Sequence, residues 1–180
     1  METSIKTNKI VMTSLMMCLI IITTMFFKIP IPFANGYVHL GDAMIFLSVI
    51  IVGWKYGAIA AAVGSALGDI LGGFAIWAPW TLVIKGLMAV ILGSFIVAVG
   101  KKNANQMRFG ISFIQLIGMI LAGLWMMAGY YIAEGCIYGN WIAPMLGIPW
   151  NIGQFTVGTV IAVAITSALY KTPVKHYFIQ

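Results

Sequence analysis

The chain has 180 residues, 62% of them hydrophobic and 8% charged, with a formal net charge of +6 and a mean hydropathy of +1.02. These values exclude a soluble globular domain and imply an all-α integral membrane protein, with room for roughly six spans of ~20 residues and no soluble domain. The basic residues gather at segment ends without interleaved aromatics, which argues for membrane orientation and against nucleic acid.

Apolar runs predict six transmembrane helices in one domain covering residues 1–180, at about 9–27, 40–53, 56–73, 80–99, 109–133 and 149–170. The first follows METSIKTNK and runs into Lys28 and Pro30 with no small-x-small cleavage site, so it reads as a retained helix, not a signal peptide. Cys18 and Cys136 have no metal-ligand spacing around them and read as packing residues. Pro30 and Pro32 stop the first helix, and Asn35-Gly36 marks a turn in a loop long enough to fold over a cavity. The second helix is short and begins at HLGD, so it is expected to sit partly in the interface or against protein.

If the helices alternate, Lys6, Lys9, Lys55, Lys101, Lys102, Arg108, Lys171 and Lys175 share one side, and Lys28 stands on the other. That asymmetry places both termini in the cytoplasm of a multi-pass cell-membrane protein, with outward loops at 28–39, 72–79 and 134–149. Trp77, Tyr138 and Trp141 in these loops suit the headgroup level. No internal repeat is evident, so the duplicated halves of many self-sufficient transporters are unsupported.

Ionisable side chains within such apolar surroundings mark a site unless they are partnered. In the stretch from Gly36 to Leu92, apart from Lys55 in a link, these are His39, Asp42, Asp69 and Lys85. Asp42 either caps the second helix or belongs to the site, leaving His39 free to face a ligand. Asp69 and Lys85 fall at similar depths, which favours a structural ion pair between them; Lys85 lies too deep to snorkel to water. Asn151 and Gln154, three apart, share a helical face behind Pro149. With Glu134 and Tyr131 they can hydrogen-bond a small heteroaromatic ring while Trp80 or Trp150 stacks on it; the alternative is capping and interhelical glue.

No phosphate loop, H-E-x-x-H or G-x-S-x-G is present, so neither ATP hydrolysis nor peptidase or esterase chemistry has an anchor in this chain. Four acidic residues and two histidines, His176 among them, also supply a metal-dependent hydrolase poorly.

The blocks GYVHLGDAMIFL, GSALGDILGG, WAPWTLVIKGLMA, AEGCIYGN and IPWNIGQ, in this order and spacing, resemble the substrate-binding S components of energy-coupling factor (ECF) transporters. The likeness is narrower to the riboflavin-type group, which also holds candidates for hydroxymethylpyrimidine and pyridoxine uptake. It implies a prokaryotic six-helix membrane subunit, not an enzyme, with a vitamin site near its outer face. It also implies partners: a transmembrane coupling (T) subunit and two ATPase (A) subunits, which alone use ATP, while this chain carries no cofactor or metal. Family members often carry A-x-x-x-A on the first helix for docking on the coupling subunit, and here Ser14 and Cys18 hold those positions. The expected ligand contacts are His39, Trp80, Lys85, Tyr131, Glu134, Asn151 and Gln154, with Asp42 and Asp69 as ion pair or cap. A lone pocket cation, Lys85, favours pyridoxine or hydroxymethylpyrimidine over ligands with several carboxylates, with riboflavin the larger alternative. A self-sufficient facilitator or channel, and then a membrane-embedded enzyme using Asp42, Asp69 and His39, are the rival readings.

Overall fold

A computed structural model describes residues 2–31, 37–99 and 110–173. The Pro32 and Asn35-Gly36 positions, the Lys101, Lys102 and Arg108 link, and the tail with Lys175 and His176 lie outside the described residues. Six α-helices follow in order: α1 Glu2–Phe26, α2 Gly41–Val52, α3 Trp54–Leu71, α4 Ala78–Val99, α5 Phe113–Tyr138 and α6 Ile148–Tyr170. A 3₁₀ turn, Ala143–Gly147, precedes α6.

Among the described residues four segments are long and apolar enough to cross a membrane: Lys6–Phe26, Ala78–Ala98, Phe113–Tyr138 and Ala143–Tyr170. Against the expectation of six spans, the chain folds into six helices, and four of its segments are of span length and apolar. At 12 residues, α2 is about 18 Å long and too short to span unaided. It is also buried along nearly its whole length and packs on α1, α3, α4 and α6. An apolar helix enclosed on every side needs no polar face, and α2 has none beyond its first turn.

The α2–α3 turn is a single residue, Gly53, at φ 92°, a backbone conformation that glycine adopts without steric cost. Beyond it, Gly57 lies against Val49, and Gly64 and Gly68 of α3 meet Met17, Ile20 and Thr24 of α1. Small residues on one face let helices approach closely where no hydrophobic drive exists between them. The chain's alternation is visible at the start: the Lys9 ammonium lies 5.8 Å from the Tyr56 ring, so α1 and α3 begin at the same end of the bundle.

At the opposite end the first loop holds an element that the two prolines had obscured. Lys28–Pro30 (β1) and Tyr37–His39 (β2) form an antiparallel pair in which Lys28 faces His39 and Pro30 faces Tyr37. The fifth helix also runs further than its expected end at 133. Gly135 is taken up in packing against Trp141, and the helix stops at Gly139, left-handed at φ 64°. Glu134 is thus a helical residue of α5, not a loop residue.

Candidate functional site

The hairpin end of the bundle holds two adjoining polar clusters. The deeper one begins with Asp42 in the first turn of α2. Leu40 at the N-cap makes no side-chain cap bond, and the Asp42 carboxylate is engaged across the bundle instead. Its Oδ1 receives the Lys85 ammonium of α4 at 2.5 Å, both side chains fully buried. Its Oδ2 accepts from Gln154 Nε2 of α6 at 2.8 Å. Gln154 Oε1 accepts the His39 backbone N–H at 3.0 Å, which ties the hairpin to α6. Lys85 Nζ also reaches Met126 Sδ at 3.0 Å and lies 5.3 Å from the Tyr130 ring. A side chain at Gly158 would collide with Asp42, so its absence lets α6 close on this network.

These contacts correct one expectation. Lys85 pairs with Asp42 and not with Asp69. Both aspartates stand at the hairpin end, but only Asp42 comes within ion-pair distance of the ammonium. Asp69 Oδ1 instead accepts from the Tyr37 hydroxyl at 2.5 Å, while its buried Oδ2 has no hydrogen-bond partner among the described residues.

Above this network lies a small open-mouthed cavity of about 30 Å³, lined by residues that include Tyr37, His39, Asp69, Trp77, Tyr130, Glu134 and Asn151. Glu134 and Asn151 are 6% and 7% exposed, although both are amphipathic enough to be at home on a surface. Among the described residues neither side chain has a hydrogen bond or ion pair. Thr81 closes the floor through a 3.2 Å contact with the Tyr130 hydroxyl. Trp77 packs at 6.1 Å from the Tyr130 ring.

The hairpin supplies the groups that titrate outside the helices. His39 Nδ1 accepts the Gly41 N–H at 3.0 Å, so the neutral ring keeps its proton on Nε2. Burial, reinforced by the Lys85 charge and opposed by Asp42, holds the imidazole down to about 4. Burial and the neighbouring Asp69 charge push the Tyr37 phenol well above its ordinary range. Both groups are therefore uncharged near neutrality.

Of the residues singled out from sequence, His39, Glu134, Asn151 and Gln154 meet at this cavity. Lys85 lies behind it, fully buried. Trp80 is half-buried and packs on the hydrophobic core. Tyr131 donates its hydroxyl to the Trp141 carbonyl at 3.1 Å and borders a separate apolar groove. Trp77 and Tyr130 occupy the aromatic positions foreseen for those two. Ser14 and Cys18 lie on the exposed face of α1.

The sequence matches the family described as "ECF-type riboflavin transporter, S component" over residues 4–171. A Pyrococcus woesei protein described as an "uncharacterized protein in gap 3'region" is 41% identical over 118 residues, 66% of this chain and 72% of the relative. The "thiamine precursor transporter HmpT" of Lactococcus lactis subsp. cremoris (strain MG1363) is 26% identical over 153 residues, 84% of this chain and 81% of the relative.

Proposed function

The chain belongs to the family of ECF-type riboflavin transporter S components, and from that premise we propose that it captures a small ring-containing vitamin or precursor at the hairpin end of its bundle. The observation that carries this reading is the cavity, where the aromatic faces of Trp77 and Tyr130 meet unpartnered polar groups on Glu134 and Asn151. Small-molecule sites combine apolar walls with a few convergent polar groups in this way. His39, Glu134, Asn151 and Gln154 are the polar contacts in this reading, and Lys85 and Asp42 brace them from behind.

The favoured ligand is hydroxymethylpyrimidine or pyridoxine, with riboflavin as the larger alternative. The thiamine precursor named for the Lactococcus relative favours the pyrimidine. Uptake is driven by partners, a coupling T subunit and two ATPase A subunits, and the small-residue face at Ser14 and Cys18 of α1 docks on the T subunit. Both termini face the cytoplasm in this arrangement, which the gathering of lysines at the end opposite the hairpin supports.

Uptake of radiolabelled hydroxymethylpyrimidine, pyridoxine and riboflavin by cells tests the scheme. Concentrative uptake of one of them is expected only when the coupling subunit and both ATPases are co-expressed. Equilibration of the vitamin by the chain alone overturns it in favour of a self-sufficient facilitator.

A further inference from the structure

The hydrogen-bond inventory of the cavity is one-sided. Gln154 has spent its amide, with the carbonyl on His39 N–H and the NH₂ on Asp42. The Tyr37 hydroxyl is given to Asp69. Lys85, the nearest ammonium, is neutralised by Asp42, fully buried and absent from the cavity wall. Lys28 is turned outward, 3.4 Å from the Gly72 carbonyl and over the outer rings of Tyr37 and Phe74. What remains at the space is acceptor-rich: the Glu134 carboxyl and the amide of Asn151 line it, and the buried Asp69 Oδ2 stands beside them. Glu134 and Asn151 are each more than nine-tenths buried as residues, with their side chains on the cavity wall, and beside them the closed-off Asp69 Oδ2 has no partner among the described residues, which is costly to maintain.

Resting on the vitamin-binding reading, we infer that the ligand presents a donor edge, an amino group beside a protonatable ring nitrogen, to Glu134 and Asn151, and that phosphorylated and carboxylated forms are rejected. Two parallel N–H groups fill a carboxylate's two oxygens, and the ring proton makes the contact charge-assisted. The amide of Asn151 can donate as well as accept, so it also serves a neighbouring ring nitrogen or hydroxyl. A phosphate ester placed in the same space faces two carboxyl groups and finds no free cation among the described residues to take up its charge. The aromatic walls are indifferent to this choice. They bind any flat ring, so the acids set the discrimination.

Isothermal titration of the purified chain with 4-amino-5-hydroxymethyl-2-methylpyrimidine, its 4-oxo analogue, its phosphate ester, pyridoxine and riboflavin tests the inference. The amino compound is expected to bind about 10- to 100-fold tighter than the oxo analogue, the worth of one charge-assisted hydrogen bond, and the ester weaker still. Glu134→Gln should bring amino and oxo ligands to within a few-fold of each other. The ligand series on the native chain stands without any variant. Equal or tighter binding of the oxo analogue or the ester overturns the inference. Pyridoxine or riboflavin binding while the amino compound does not also overturns it, yet leaves the vitamin-binding reading intact. Failure of all five ligands to bind removes both.

Discussion

The two polar clusters at the hairpin end each combine a carboxyl group with a side-chain amide, and they differ in whether a cation completes the bonds. In the deep cluster Asp42, Lys85 and Gln154 are mutually bonded: each Asp42 oxygen has a donor, and Gln154 uses both ends. In the upper cluster Glu134 and Asn151 are almost as buried but line the cavity without a hydrogen-bond partner among the described residues. An ionisable group inside a membrane bundle is thus not in itself a ligand contact. Partner accounting separates the groups that hold the frame from those that await something.

The sharpest way to break that comparison is to remove the deep cation. Lys85→Met leaves Asp42 fully buried without its counter-charge, and such an orphaned charge costs about 3–5 kcal/mol. Thermal unfolding in detergent should show a collapse in stability, largely recovered by adding Asp42→Asn, which removes the charge that Lys85 neutralised. A Lys85→Met protein as stable as the parent would mean that the two clusters are not different in kind.

Acid sharpens the same boundary from the hairpin side. His39 is held down to about 4 in the folded protein, against 6.5 for an unperturbed imidazole. The unfolded chain therefore binds a proton more readily, and stability rises with pH across that window. The contribution of His39 is complete above pH 6.5 and is lost as pH falls toward 4, by about 1 kcal/mol at roughly pH 5.5. Lys85 opposes protonation, Asp42 favours it, and the Tyr37 ring packs against the imidazole at 5.6 Å. Melting temperature against pH for the parent and for His39→Gln checks this: the parent curve should fall below pH 6.5 and the difference between the two should shrink with it. Parallel curves would show that His39 does not titrate as a buried base.

Much of this arrangement is legible in the sequence once helical spacing is applied to the right anchors. Trp77, Thr81 and Lys85 stand at i, i+4 and i+8, as do Met126, Tyr130 and Glu134, so each charged residue points to its own row of neighbours. Trp80 and Tyr131 lie off those rows. The partner of Lys85 was not legible, because Asp42 and Asp69 reach the same end of the bundle from different helices. Which of them meets the ammonium is decided by lateral packing, including the close approach of Gly158 to Asp42. Nor was the end of α5, since Gly135 and Gly139 look alike in sequence; one is a packing position against Trp141 and the other the left-handed cap. The hairpin was hidden by Pro30, tolerated because it sits at the end of a three-residue strand.

The smallest expected effect belongs to Tyr131, and it tests where the cavity ends. Tyr130 and Tyr131 are adjacent in sequence, yet successive helical residues project about 100° apart, which sends one ring to the Trp77 wall and the other toward Trp141. Tyr131→Phe removes a single hydrogen bond to the Trp141 carbonyl in an exposed setting, so stability should change by no more than about 0.5 kcal/mol. Ligand affinity measured by titration should stay within about twofold of the parent, because no hydrogen bond inside the cavity is touched. Tyr130→Phe, which breaks the Thr81 contact on the cavity floor, should weaken binding by more. A tenfold loss at Tyr131 with no loss at Tyr130 would move the ligand to the groove between Tyr131, Met145 and Ile148, and the unpartnered Glu134 and Asn151 would then need another explanation.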